Sequence, residues 1–476
     1  MNSSKSEAIK SALIGLAALV ALIAWLKFQP RLPDMEPQEK IGKILLDRFS
    51  DISAAAQIEF VCVDPSSGEP KSLRLSREKD AWTIPSMLNY PAENPERLAK
   101  VLSPLTQLVV LDTLKASNSS NSKEIDELHR ECGLLNPSNF IPNYSEENES
   151  NLAFGSALAI KIDDESGERL VDLLVGTRAP QTSETRDARF VRFANDDVVY
   201  VVDFSVDSTQ EVGTTEFTEY PDRISFEPVD WINPDLLRIS RWNIQLLTVM
   251  DYGLSFQKHE GEAPTFEFNA KGVAVFKQTP DNSLSRVWSL FRRVDYATGG
   301  SWNELTAVNE ESAQNDALNE TADALARLRI ETVRRKPDAL RALFKSGNIG
   351  SALTSYSETL ADLGFATYDR DPLDAQNIEP ILVGEGGAIE ATMKSGEKLS
   401  LIFGRKFDNM RICVVTAQFD KQALINNAKD EAEVAFYATD GEKESQKDAD
   451  RFADWFYFVT EDAYETLRFR FSDVLK

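Results

Sequence analysis

Residues 170–178 read Leu170-Val171-Asp172-Leu173-Leu174-Val175-Gly176-Thr177-Arg178, and residues 399–405 read Leu399-Ser400-Leu401-Ile402-Phe403-Gly404-Arg405. Each is an apolar run bounded by a glycine, with an arginine at or just after the exit. That is the pattern of a buried strand leaving through a tight turn. The surroundings match as well. Ala188-Arg189-Phe190-Val191-Arg192-Phe193 follows the first run, and Met410-Arg411-Ile412-Cys413-Val414-Val415 follows the second. Upstream of each lies a short helical pattern ending in a glycine, 123–132 before Gly133 and 356–363 before Gly364. From Gly133 to Gly176 is 43 residues, and from Gly364 to Gly404 is 40. Trp455-Phe456-Tyr457-Phe458-Val459 then answers the strand at 198–202. The order and spacing predict an internal duplication of an α+β module, each copy an antiparallel sheet carrying helices.

The first module is expected over 41–240. Strands are read at 57–63, 72–76, 81–84, 157–162, 170–175, 190–193 and 198–203. Asn94-Pro95-Glu96 opens a helix by cap, N1 proline and acidic first turn, with Leu98, Val101, Leu102, Leu105 and Leu108 on one face. The second, divergent module is expected over 241–476. It has strands at 244–250 and 265–268 and a helix at 321–330 whose Ala322, Leu325, Ala326 and Leu328 match Leu98, Val101, Leu102 and Leu105. An acidic insertion occupies 419–454.

Ahead of both modules, residues 12–26 form an unbroken run of apolar or small side chains, flanked by Lys5, Lys10, Lys27 and Arg31. Extended by Ser11 and Phe28, it is close to the ~20 residues a bilayer core requires. The expected layout is a cytoplasmic tail at 1–10, a transmembrane signal-anchor helix at 11–28, and a linker at 29–40 opened by Pro30 and Pro33. A cleavable signal peptide is the competing reading. It suffers because Leu22-Ile23-Ala24 has Leu where cleavage wants a small residue. The short basic tail favours keeping the N-terminus in the cytoplasm and the body outside.

The formal net charge is −25, which excludes a general nucleic-acid binder, since phosphate neutralisation needs concentrated Lys and Arg. Cys62, Cys132 and Cys413 are scattered and show no metal spacing. His129 and His259 are read as surface residues, and Trp82, Trp231, Trp242 and Trp455 as core. No phosphate-binding loop, G-x-S-x-G or H-E-x-x-H pattern occurs, and Gly384-Glu385-Gly386-Gly387 reads as a flexible turn. Asp163/Asp164, Asp196/Asp197 and Asp430/Glu431 are paired carboxylates of the type a glycosidase uses, but they sit in turn-like or helix-surface contexts. No catalytic residue, cofactor or metal site is expected. The motif candidates are structural: Trp82, Gly133, Gly176, Thr177, Arg178, Gly364, Gly404 and Arg405. The sharper reading of Val175-Gly176-Thr177-Arg178 is anion binding by amides and guanidinium.

The succession Trp82-Thr83-Ile84, Leu98, Leu102 and Leu105, Gly133-Leu134, Gly176-Thr177-Arg178, Arg189, Val191 and Tyr200, closing on Asp230-Trp231-Ile232 and Leu236-Leu237, carries a resemblance. It resembles a bacterial domain of unknown function found in membrane-anchored proteins, often beside ABC-transporter components of the gliding-motility type. The resemblance covers 41–240 best and 241–476 weakly. It implies a non-catalytic extracytoplasmic accessory or scaffold part in the bacterial inner membrane, held by one helix. Its partners would be transporter subunits or other envelope proteins. The alternative is an envelope polysaccharide or peptide binding module, or a hydrolase using paired carboxylates.

Overall fold

The computed structural model describes residues 37–79, 81–115, 121–142, 151–180, 186–205, 218–257, 265–280, 286–297, 301–305, 312–346, 355–368, 381–428 and 430–476. The tail and anchor expected at 1–28, most of the linker and His259 lie outside these residues. Among the described residues no helix is long and apolar enough to cross a membrane.

The fold is mixed α+β. The strands of one sheet are β1 (Gln57–Val63), β2 (Pro70–Glu78), β3 (Ala81–Ile84), β4 (Tyr90–Pro91), β5 (Val110–Leu114), β6 (Leu158–Asp163), β7 (Arg169–Arg178), β8 (Ala188–Phe193) and β9 (Val199–Asp203). Their order is β4-β3-β2-β1-β6-β7-β8-β9-β5. A second sheet holds β10 (Ile244–Gln257), β11 (Thr265–Pro280), β12 (Arg286–Ala297), β13 (Ser301–Leu305), β14 (Thr332–Arg335), β17 (Ala388–Met393), β18 (Glu397–Phe407), β19 (Met410–Phe419) and β20 (Trp455–Thr460). Its order is β13-β12-β11-β10-β17-β18-β19-β20-β14. Position for position the two orders are the same, down to the strand that returns from mid-chain to close the far edge (β5 and β14). A separate hairpin joins β15 (Phe365–Tyr368) to β16 (Ile381–Gly384).

Register makes the correspondence specific. Arg189 faces Val202 across β8/β9, and Arg411 faces Val459 across β19/β20. Leu45 N–H donates to Leu108 O at 2.7 Å and Val110 N–H to Lys43 O at 3.0 Å. In the second half Leu236 N–H donates to Leu328 O at 2.8 Å and Ile330 N–H to Pro234 O at 2.8 Å. These bonds align Leu108 with Leu328. The helix α1 (Pro95–Leu102) therefore corresponds to α3 (Asn315–Ala326) through Leu318, Thr321, Ala322 and Leu325. The expected match from Ala322 to Leu98 was one turn too late, because the 321–330 helix pattern misses its first six residues and overruns its end.

Local chemistry explains the remaining elements. Asn94 caps α1 through Arg97 N–H at 3.1 Å, and Pro95 fixes the first turn. Helix α2 (Ser122–Glu131) is capped by Asn121 and ends at Gly133. After β14 come α4 (Asp338–Ser346) and α5 (Ser357–Asp362), the latter running into Gly364. The acidic insertion is two helices, α6 (Lys421–Asn427) and α7 (Glu431–Ala453), the second 23 residues long. Asp430 caps α7 through Glu433 N–H at 2.9 Å, with Glu431 and Glu433 in its first turn and Arg451 in its last, all matched to the helix dipole. Short helices α8 (Glu461–Glu465) and α9 (Phe471–Val474) end the chain.

The chain forms two compact units: residues up to 72 with 99–224, and residues 73–98 with 225–476. The boundary expected at 240/241 therefore falls at 224/225, and the segment 73–98 groups with the second unit. Each unit has its own core. Leu134, Leu174 and Val199 are fully buried in the first, and Leu360, Phe365, Ile412 and Val414 in the second.

Candidate functional site

The motif glycines meet in pairs. At the end of α2, Gly133 adopts φ +69°, and its chain lies directly on the exit of β7. A Cβ on Gly176 would come closer than 3.0 Å to Cys132 O, and one on Gly133 would press on Thr177. Thr177 N–H donates to Cys132 O at 2.9 Å, and its hydroxyl reaches the same oxygen at 3.1 Å. The second half repeats this crossing. Gly364 has φ +81°, a Cβ on Gly404 would come within 3.0 Å of Leu363 O, and Arg405 N–H donates to Leu363 O at 2.9 Å. In both places a helix C-terminal carbonyl is satisfied by the backbone of a strand, at a spacing no side chain permits.

An arginine on the next strand holds each crossing from the other side. Arg189, 6% exposed, reaches Gly176 O through Nη1 at 3.4 Å. Arg411 reaches Gly404 O through Nη1 at 3.1 Å. Each is also bound to carboxylates. Arg189 Nε donates to Asp187 Oδ1 at 2.7 Å, and Nη2 donates to Glu219. Asp187 is fully buried and also accepts Tyr220 N–H at 2.7 Å. Arg411 forms a bidentate pair with Glu461, at 3.1 and 2.8 Å, and stacks over the Tyr464 ring at 4.0 Å. The hydrogen bonds from Arg411 hold the Glu461 carboxyl below the usual carboxylate range. Sequence reading placed Arg189 and Arg411 only within matching strand motifs and missed Asp187, Glu219 and Glu461. Their pairing joins residues up to 50 positions apart, with no local signature.

The motif arginines are similarly occupied. Arg178 pairs with Glu219 at 3.1 Å, and Arg405 with Glu385 at 3.6 Å. These guanidiniums face carboxylates of the chain itself, so the anion-binding geometry considered for Val175-Gly176-Thr177-Arg178 is not what they form. The stretch 384–387 is a packed turn rather than a loose one. Gly386 N–H donates to Phe403 O at 2.8 Å, and Tyr464 OH donates to Gly386 O at 2.7 Å. Trp82 is half-buried in β3, remote from both crossings in sequence and strand order.

The paired carboxylates serve turns and caps. Asp163 pairs with Arg169, Asp164 accepts Ser166 N–H at 2.8 Å, Asp196 accepts Val198 N–H at 3.1 Å, and Asp430 caps α7. Two other expectations fail. His129 is 4% exposed, its Nε2 3.2 Å from Asp197 O, and burial lowers its pKa. It sits on the inward face of α2, which the polar run 123–132 disguises. Trp242 is 42% exposed and stacks under Arg241 at 4.2 Å. Trp231 and Trp455 are buried. The three cysteines are free, and burial pushes the Cys413 thiol up to about 12.

Two buried ionisable groups stand out in the second unit. Lys336 is 2% exposed and donates to Phe452 O, in the last turn of α7, at 2.9 Å and to Trp455 O, just beyond it, at 2.6 Å. Burial lowers its pKa to about 7. Glu397, at the start of β18, is 6% exposed, and burial, then Asp448 and Glu444, raise its pKa to about 7. The hollow lined by Asp251, Tyr252, Phe268 and Val273 has room for about one water. Among the described residues no cluster of His, Cys, Asp and Glu has metal-binding geometry.

Comparison with curated proteins finds no match, and neither does comparison with solved structures. A family model does match, from Trp82 in β3 to Lys345 in α4, more than half of the chain. The chain belongs to that family, described as Domain of unknown function (DUF4340).

Proposed function

We propose that this protein is a non-catalytic scaffold of the bacterial envelope, built from two copies of one module and tethered by the helix at 11–28. Its body lies on the extracytoplasmic side of the inner membrane, where it serves as an accessory part beside an ABC-transporter assembly. The observation that carries the reading is the use to which the ionisable groups are put. Both glycine crossings are braced by an arginine whose partners are a strand carbonyl and buried carboxylates. Such satisfied networks hold a backbone in place and leave no group free to move a proton. The shared strand order and register support the duplication, and the run at 12–26 supports the tether. The partner class comes from the resemblance alone. Affinity purification of the full chain in mild detergent, with mass spectrometry of what accompanies it, tests the reading. Transporter subunits are the expected company, and recovery as a lone monomer across several detergents contradicts it.

One observation favours a second reading. Trp242, exposed and backed by Arg241, is the type of flat platform on which sugar rings or peptide side chains stack. A binding module for envelope polymers would lose affinity for cell-wall fragments on Trp242→Ala. The scaffold reading predicts no such binding to lose.

A further inference from the structure

The inward face of α7 is short of apolar side chains. From its middle onward that face carries Gly441, Ser445, Asp448 and Phe452, spaced along one side of the helix. Residues 431–440, ahead of them, include none that is buried. Close backbone approach seats the middle of the helix against β18 and β19. A Cβ on Gly441 would come closer than 3.0 Å to Ser395 O, in the turn before β18. A stretch that buries so little apolar surface opens locally at low free-energy cost.

Glu397 begins β18 at this contact. It is 6% exposed, and its Oε1 is buried with no hydrogen-bond partner among the described residues. The buried Ser445 hydroxyl of α7 has none either. The charged groups acting on Glu397 all come from α7: Asp448 and Glu444 repel its ionised form, and Arg451 attracts it. Arg451 is already engaged, its Nε donating to Asp448 Oδ1 at 3.1 Å and its Nη1 to Leu236 O at 2.9 Å. From β19 the residue opposite Glu397 is Phe419, and in the preceding turn the Ser395 hydroxyl accepts Glu397 N–H at 3.5 Å. An ionised Glu397 under the seated helix is thus a poorly solvated charge facing two acids, and keeping its proton relieves both penalties.

The far end of α7 is fastened by other groups. Phe452 and Ala453 are buried, and Lys336 donates to Phe452 O at 2.9 Å. Arg341 and Lys345 of α4 reach Asp454 at 3.7 and 3.3 Å. None of these contacts involves Glu397.

We infer that α7 is a pH-dependent latch: residues 431–448 lie on β18 and β19 while Glu397 is protonated, and lift away about the fixed turn at 449–453 when it ionises. Linkage sets the sign. Burial, then Asp448 and Glu444, raise the Glu397 pKa to about 7, so the seated helix holds a proton that the released one gives up. Release becomes easier as pH rises from the ordinary carboxylate range to about 7, and levels off above it. Between pH 5 and pH 8 the equilibrium for release should grow roughly fifty-fold.

Hydrogen exchange of the full chain in detergent, read by mass spectrometry at pH 5, 6, 7 and 8 with the intrinsic rate at each pH divided out, tests the latch. A released stretch of this length frays in water, so its amides report the release. Protection within 431–448 should fall by roughly that fifty-fold from pH 5 to pH 8, while peptides of β18 and β19 keep theirs. Glu397→Gln, which mimics the protonated side chain, should hold the pH 5 protection at every pH. Glu444→Gln, at an exposed position, removes one facing charge and should make the fall smaller. Protection in the parent that is the same at pH 5 and pH 8 overturns the inference. So does an undiminished fall in either variant, or a fall that spreads equally through β18 and β19. Each result is read from this chain's own amides, whichever proteins accompany it in detergent.

Discussion

Replacing Gly404 by alanine is the sharpest probe of the repeated crossing. Neither Gly404 nor Gly176 has a left-handed φ, so alanine meets no backbone penalty at either. At an uncrowded site the change would stabilise by about 0.4–1 kcal/mol, through loss of unfolded-state freedom. Here the added methyl would lie closer than 3.0 Å to Leu363 O, and would also crowd Phe365 and Ile412. Overpacking of a tight core costs about 2 kcal/mol. If Leu363 O moves away, its bond from Arg405 N–H is lost for about 1 kcal/mol more. Setting the gain against these costs leaves a net destabilisation of about 2 kcal/mol. For a unit of this size that shifts Tm by roughly 4–8 °C. The assay is thermal unfolding of the full chain in detergent, followed by near-UV circular dichroism, with Gly176→Ala measured alongside. Gly404→Ala should move the transition of the second compact unit and Gly176→Ala that of the first, by similar amounts. Alanine that is neutral or stabilising at either position would refute the close-approach argument.

Other consequences concern buried charge. Glu397 has a raised pKa, so folding favours its protonated form. Its cost is absent below the ordinary carboxylate range, grows as pH rises, and is complete above about 7. Glu397→Gln should therefore be more stable than the parent at pH 8 by roughly up to 3 kcal/mol, with the difference vanishing near pH 4, as measured by urea titration. Lys336 runs the other way. Its lowered pKa makes the folded state favour the neutral amine, so stability falls as pH drops from about 10 toward 7. Lys336→Met should flatten that slope while losing the two carbonyl contacts, so its deficit should be largest at pH 10. Arg411→Ala strands Glu461 in a site where Lys406 stays 3.7 Å away, and should cost about 3 kcal/mol in the same titration, against under 1 for the exposed Arg48→Ala.

The matching order of the two halves was legible because its signals are local. An apolar strand that ends in glycine, such as 170–176 or 399–404, has a period and a punctuation mark within nine residues. Helix ends at Gly133 and Gly364 are equally local. What stayed hidden depends on the fold. Strand β5 is five residues long and follows a helix closely, so its pairing with β9, about 90 positions later, leaves no trace in the sequence. The strands β10 to β12 run 14, 16 and 12 residues, but bulges at Asp251/Tyr252 and Val275/Phe276 reset the alternation, so only the openings of β10 and β11 read as strand and β12 does not read as one. The partners of Arg189 and Arg411 are fixed by which strands lie side by side. Trp242 looks like core because its neighbours are apolar, yet it belongs to a turn, Arg241–Asn243, that faces outward. His129 looks like surface because its helix is polar, yet it occupies the one face that packs.

The central claim is that a single helix at 11–28 holds two related modules outside the cytoplasm. Fusing alkaline phosphatase after Lys476 in a bacterial host tests it most directly, because the enzyme matures only outside the cytoplasm. The account predicts high phosphatase activity that stays with the membrane fraction after carbonate washing. An inactive fusion, or activity released in soluble form, would contradict it.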